Sequence, residues 1–240
     1  MDYHEAIAAL GMGSAHPGGF SITREWMKQI EIQKNAKILE VGCGTGRTAC
    51  ALQQHFNCNV VGVDRNEKMI AKAHQRAATL DLPIQFSLVR GSRLPFTDAL
   101  FDVVVAESVT VFNDLDSLLN EYQRVLKPKG FVINVEMCAN SPLPADVFQA
   151  FHETYGAECV PTMSQWKDYY HKAGFHSVRI IRSGPVPNSP VFDQEPDHMS
   201  PILTDKDAYT NDVYTIMNQN QIVMQKYAKW LNFAVIQALK

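Results

Sequence analysis

The segment Glu40-Val41-Gly42-Cys43-Gly44-Thr45-Gly46 constrains this 240-residue chain more than any other. It grows out of Lys37–Val41, whose branched, two-sided apolar character is that of a buried strand, and it opens at once into a helical pattern over 46–56. A strand that turns into a helix through glycines leaves bare backbone at its carboxyl end, where a ligand can lie against amides that no side chain shields. The spacing also excludes. The dinucleotide pattern Gly-x-Gly-x-x-Gly needs glycine where Arg47 stands, and no Gly-Lys-Ser/Thr follows to make a P-loop. The turn therefore suits a nucleoside ligand that lacks a pyrophosphate.

Strand-like runs recur at 59–63, 84–89, 101–106 and 130–137, separated by helical patterns at 66–80 and 114–126. Asn66 is a good N-cap for the first of these helices, with Glu67 well placed against its dipole. Strands alternating with helices predict right-handed crossovers and a parallel, doubly wound α/β sheet. Pro128-Lys129-Gly130 is expected to stop the helix at 126 and turn the chain into the next strand. Beyond the loop at 140–144, helical material is expected to run to about Lys172, followed by a strand at 175–182. A proline-rich stretch at 184–201 comes next, then a helix at 205–229 and a last strand at 232–239.

Composition removes whole classes of function. Hydrophobic residues at 46% and charged residues at 20% are those of a folded chain with a core. A net charge of -3 offers no attraction to nucleic-acid phosphates or anionic lipid, so neither a nucleic acid nor a membrane is expected as a partner. Five cysteines without a Cys-x-x-Cys pair read as free thiols of a cytoplasmic protein, and no metal site is expected.

Asp64 ends the second strand beside the glycine turn, where a carboxylate can accept both hydroxyls of a ribose. Together with the Leu94-Pro95-Phe96 turn before Phe101-Asp102-Val103-Val104-Val105, and with Arg124-Val125-Leu126-Lys127-Pro128-Lys129-Gly130, these motifs resemble the class I S-adenosylmethionine-dependent methyltransferases, in their small-molecule branch. The resemblance covers roughly residues 36–137. It implies a Rossmann-like seven-stranded sheet of order 3-2-1-4-5-7-6 with strand 7 antiparallel, and S-adenosyl-L-methionine as cofactor. It further implies that Glu40, Gly42, Cys43, Gly44 and Gly46 surround the methionine and ribose portions, that Asp64 holds the ribose, and that Arg65 and Met69 flank the adenine. The family's acid before the Leu-Pro turn is replaced here by Ser92-Arg93, of which Ser92 would take over the adenine contact; Glu107 would stand near the sulfonium.

The final strand would return antiparallel between its neighbours after an unusually long connection, so residues 183–230 are expected to form a helical cap inserted between strands 6 and 7. Residues 36–182 and 231–240 then make the cofactor-binding core, and residues 1–35, with the loop Gly13-Ser14-Ala15-His16-Pro17-Gly18-Gly19, an N-terminal lid. Aromatics cluster after strand 5, among them Tyr155, Trp166, Tyr170 and Phe192, and a few of them are expected to wall a small-molecule methyl acceptor. His16 and Glu107 are the candidate catalytic bases, with Glu136 and His152 also near by topology. A nicotinamide-dependent oxidoreductase would need glycine at 47 and a wholly parallel sheet; a non-catalytic cofactor-binding module would keep Glu40 and Asp64. Nothing in the sequence sets the acceptor's identity or an oligomeric state.

Overall fold

The computed structural model describes residues 1–186, 197–206 and 208–240. Its strands are β1 (Lys37–Val41), β2 (Asn59–Asp64), β3 (Gln85–Leu88), β4 (Phe101–Glu107), β5 (Leu126–Ala139), β6 (Ser177–Pro185) and β7 (Leu231–Leu239). They form one sheet in the order β3-β2-β1-β4-β5-β7-β6, with β7 antiparallel to both of its neighbours and β1 to β5 mutually parallel. The helices are α1 (Tyr3–Ala9), α2 (Gly19–Met27), α3 (Arg47–Phe56), α4 (Glu67–Thr79), α5 (Leu115–Val125), α6 (Ala145–Tyr155), α7 (Met163–Lys172), α8 (Ser200–Leu203) and α9 (Asn211–Tyr227).

Alternation along the central strands explains why both faces are covered. Ile38, Val103, Val105, Ile133, Val135 and Val235 point into one core. Their neighbours Leu39, Val104, Val132, Ala234 and Ile236 point into a second core on the opposite face. The sheet is thus buried on both sides at its centre, and the carboxyl ends of β1, β2 and β4 are left as the place where a ligand can reach backbone.

Local chemistry sets the element ends, and here the structure corrects several expected boundaries. Asn66 caps α4 as expected, its side chain accepting from the amides of Lys68 and Met69. Pro128-Lys129-Gly130 lies inside β5 rather than ahead of it: α5 already ends at Val125, and the strand begins at Leu126, with a register shift between Phe101 and Val103 absorbing the extra residues. The helical stretch expected up to Lys172 is two helices. Gly156, at φ 71°, closes α6, and Thr162 starts α7 with a capping box to Gln165. The long helix of the 183–230 segment starts at Asn211, capped by Thr210, and not at Asp205, whose carboxylate is engaged by Lys68 and Lys72. The expected proline-rich stretch falls largely on residues 187–196, which with Phe192 lie outside the described residues. Among the described residues no helix is long and apolar enough to cross a membrane.

Candidate active site

The first strand delivers its glycines into a left-handed turn: Gly42, Gly44 and Gly46 have φ of 70°, 51° and 75°. The amides of Gly42 and Cys43 donate to the carbonyl of Val63, so the turn is fastened to the end of β2. A methyl group on Gly42 would sit 2.2 Å from a Val109 side-chain carbon, whereas one on Gly44 would meet nothing within 4 Å. The first glycine is therefore required by packing, and the second faces open space. Gly46 serves packing too, since a methyl there would sit 2.9 Å from the ring of Phe86.

Asp64 stands at the tip of β2 and accepts from the amides of Gly44 (2.9 Å) and Asn66 (2.8 Å). Burial pushes its carboxyl above the usual carboxylate range, and the Asn66 and Gly44 amides work against that rise. Glu40 is 4% exposed, and its Oε2 has no hydrogen-bond partner. Burial, then the charges of Glu107 and Asp64, hold its carboxyl well above the ordinary value. An unpartnered buried carboxyl beside bare backbone is a costly arrangement unless something cationic fills the space next to it.

The space is there. A cavity of about 790 Å³ is lined by Glu40, Gly42, Cys43, Gly44, Asp64, Arg65 and Met69 on one side. The sequence-derived candidates His16 and Glu107 reach it as well, whereas Gly46, Ser92 and Arg93 do not line it. Arg90, Gly91 and Leu94 line it instead; Arg124 donates to the Leu94 and Phe96 carbonyls, and Glu121 accepts from the Leu94 amide.

Glu107 is heavily engaged. Its Oε1 accepts from the Thr23 hydroxyl (2.8 Å) and the Trp26 indole (3.0 Å), and its Oε2 from the Thr48 hydroxyl (2.8 Å), with Nε2 of His16 3.4 Å away. Thr23 gives its hydrogen to Glu107, so its 3.2 Å contact with Nε2 of His16 is closed by a hydrogen on the ring. A neutral ring so arranged keeps its lone pair on Nδ1, 3.4 Å from the Pro17 carbonyl. The carboxylate binds α2, α3 and the His16 loop to the end of β4. His152 lies outside the cavity wall, its Nδ1 on the Ala157 carbonyl. Glu136 is fully buried behind it, its Oε1 accepting from the amides of Val109 (3.0 Å) and Thr110 (2.6 Å).

Of the far wall, sequence reading reached Tyr155 and the two covering segments but not the other residues. Tyr3, His4 and Ile7 of α1 line it with Phe112, Met137, Tyr155, Val186 and Met224. One signal for α1 was available: Asp2 and Glu5 form a reciprocal capping box. Two ion clusters bring distant segments together over α4. Lys72 donates to the carbonyls of Ala8 and Ala9 and pairs with Asp205 at 2.8 Å. Arg76 joins the Thr45 carbonyl (2.9 Å) to Asp197 (2.6 Å).

Residues 32–177 match the family model described as a methyltransferase domain. The chain is 33% identical over 179 residues to the uncharacterized methyltransferase YodH of Bacillus subtilis, covering 75% of this chain and 76% of that protein. It is 25% identical over 169 residues to phosphoethanolamine N-methyltransferase 1 of Triticum aestivum, covering 70% of this chain and 34% of that protein. Among solved structures, a Haemonchus contortus phosphoethanolamine N-methyltransferase 2 in complex with phosphomonomethylethanolamine and S-adenosylhomocysteine superposes with a TM-score of 0.77 at 19% identity. That match covers 99% of this chain and 56% of the larger one.

Proposed function

The chain belongs to the class I S-adenosylmethionine-dependent methyltransferases, and on that footing we propose that it carries the methyl group to a small-molecule acceptor held in the cavity beyond Glu107. The observation that carries the reading is the Glu40 carboxyl, buried, with Oε2 unpartnered, beside the bare Gly42–Gly44 backbone and within the charge field of Asp64. Glu40 would take the cofactor's ammonium group, Asp64 its ribose hydroxyls and the glycine turn its backbone-facing side. Bound there, S-adenosylmethionine supplies a sulfonium methyl open to in-line attack.

The protein's own part is positional. Holding acceptor and methyl donor in line converts an encounter into an internal step, an effect with an upper range of about 7 to 11 kcal/mol. Residues 1–35 and the 183–230 segment, which contribute the far wall, would keep water from the reacting pair. Glu107 and His16 tie that wall to β4 through Thr23, Trp26 and Thr48, and their part would be to anchor it.

Glu40 provides the test. Its raised carboxyl must lose a proton to pair with an ammonium, so S-adenosylhomocysteine should bind with proton release and more tightly as pH rises. Calorimetry in buffers of different ionisation enthalpy reads that proton directly. Glu40→Gln should lose the release and about tenfold or more in affinity. Wild-type affinity in Glu40→Gln removes Glu40 from the site, and a wild-type protein that does not bind the compound removes the site.

A further inference from the structure

The glycine turn is fastened to β2 and also to α4. The amides of Gly42 and Cys43 donate to the Val63 carbonyl, and the amide of Gly44 donates to Asp64. From α4, Nε of Arg76 donates to the Thr45 carbonyl (2.9 Å) and Nη2 to the Thr45 hydroxyl (3.1 Å). Thr45 is fully buried and directly follows Gly44, which lines the cavity. The other face of the same guanidinium is taken by Asp197, with Nη1 2.9 Å from Oδ1 and Nη2 2.6 Å from Oδ2. We propose that Asp197 is a positioning residue of the cofactor site: it acts through Arg76 on Thr45, so that cofactor binding and docking of the stretch 197–205 favour each other. This deepens the reading above and rests on it.

Arg76 is 3% exposed, and a guanidinium so deep needs a counter-charge. Among the described residues the carboxylate paired with it is Asp197. The guanidinium is planar and rigid, so the orientation that seats the carboxylate also aims Nε and Nη2 at Thr45. Without the carboxylate a buried cation is left unpaired, and its relief is to swing toward water and away from Thr45. Burial pushes the Asp197 carboxyl up, but the Arg76 hydrogen bonds and charge, with the charge of Arg47, hold it below the usual carboxylate range. The pair also touches the loop that covers the cavity. A methyl on Gly13 would sit 2.5 Å from Oδ2 of Asp197, and Gly13 lines the cavity beside Ser14. Oδ1 accepts from the Met199 amide (3.1 Å), and the Met199 carbonyl accepts from the Leu203 amide (3.1 Å), so the same carboxylate leads into α8.

Asp205 provides the contrast. It belongs to the same stretch and also docks on α4, pairing with Lys68 at 3.1 Å and Lys72 at 2.8 Å. The Lys72 ammonium goes on to the carbonyls of Ala8 and Ala9 at the end of α1, and not to the glycine turn. Both acids therefore hold the stretch in place, but only Asp197 shares a side chain with the turn that faces the cofactor.

The experiment titrates the purified full chain with S-adenosylhomocysteine by calorimetry, as wild type, Asp197→Asn and Asp205→Asn. Amide hydrogen exchange at Met199 and Leu203 is then followed in wild type with and without the compound. Asp197→Asn should weaken binding about tenfold or more and Asp205→Asn less than about threefold, whereas a merely structural loosening of the stretch would affect both alike. Bound compound should slow exchange at Met199 and Leu203, because coupling between two events is reciprocal. Should Asp197→Asn fail to fold, the exchange measurement on wild type decides alone. Wild-type affinity in Asp197→Asn, equal losses in the two variants, or exchange at Met199 and Leu203 that the compound leaves unmoved overturns the proposal. A wild-type chain that does not bind S-adenosylhomocysteine sinks the cofactor reading instead, so the two failures are distinct.

Discussion

The two walls of the cavity are made by opposite means. The wall at β1 and β2 is a few contiguous residues whose backbone does the contacting, backed by Glu40 and Asp64. The opposite wall collects residues from six places beside the loop at 12–17: α1, the turn after β4, the end of β5, α6, the residue after β6, and α9. A wall of backbone fixes its ligand by chain geometry and cannot be altered cheaply; a wall of side chains from six places can change one residue at a time. The first suits a ligand that stays constant and the second a ligand that varies.

Removing Asp64 should break the first wall outright. Asp64→Ala deletes the carboxylate proposed to accept two hydroxyls and frees the Gly44 and Asn66 amides; a loss of about 3 to 6 kcal/mol, two charge-assisted hydrogen bonds, should take S-adenosylhomocysteine binding out of the micromolar range in calorimetry. The fold should survive, because both freed amides face the cavity region and can take water. Affinity equal to wild type would show that the two walls are not divided as described.

Glu136 sharpens the comparison from the other side, since it fastens the turn of the second wall. Burial pushes its carboxyl from the ordinary 4.5 up to about 7. The unfolded chain loses this proton near pH 4.5 while the folded chain keeps it to about 7, so the folded state is favoured by this group at low pH. That advantage falls away between those two values, by about 3 kcal/mol. Urea unfolding at pH 5 and pH 8 should show the slope in wild type and not in Glu136→Gln, whose amide oxygen can still accept from Val109 and Thr110. Cofactor affinity should barely move.

The smallest effects come where the walls touch, at Gly42 against Val109. Gly42→Ala combines a left-handed alanine with a 2.2 Å approach to Val109 and should cost about 2 to 3 kcal/mol of stability. Gly44→Ala carries only the backbone term, about 1 kcal/mol, because its methyl meets nothing. Thermal melts of the pair separate packing from conformation; equal losses would mean that Val109 moves aside freely.

The same contrast governs what could be read from the sequence. The sheet order, the antiparallel last strand and the Glu40–Asp64 wall were legible because glycine turns, strand tips and caps act over a few residues. That Ser92 and Arg93 do not line the cavity was not legible, for the carbonyls of Leu94 and Phe96 next to them are held by Arg124, about thirty positions later. The roles of Glu107 and His16 were equally hidden, for their partners Thr23, Trp26 and Thr48 belong to other elements. Tyr155 and Met224 carry no local mark that separates a lining residue from a core one.

The last strand in the sequence, β7, lies between β5 and β6 and pairs with both. A chain still emerging from the ribosome therefore holds the apolar β5 as an open edge and β6 without a neighbour, both able to recruit another chain's strand. Completion of the sheet waits on residues 231–239, so β7, more than the glycine turn, is the element whose arrival closes the exposed edges.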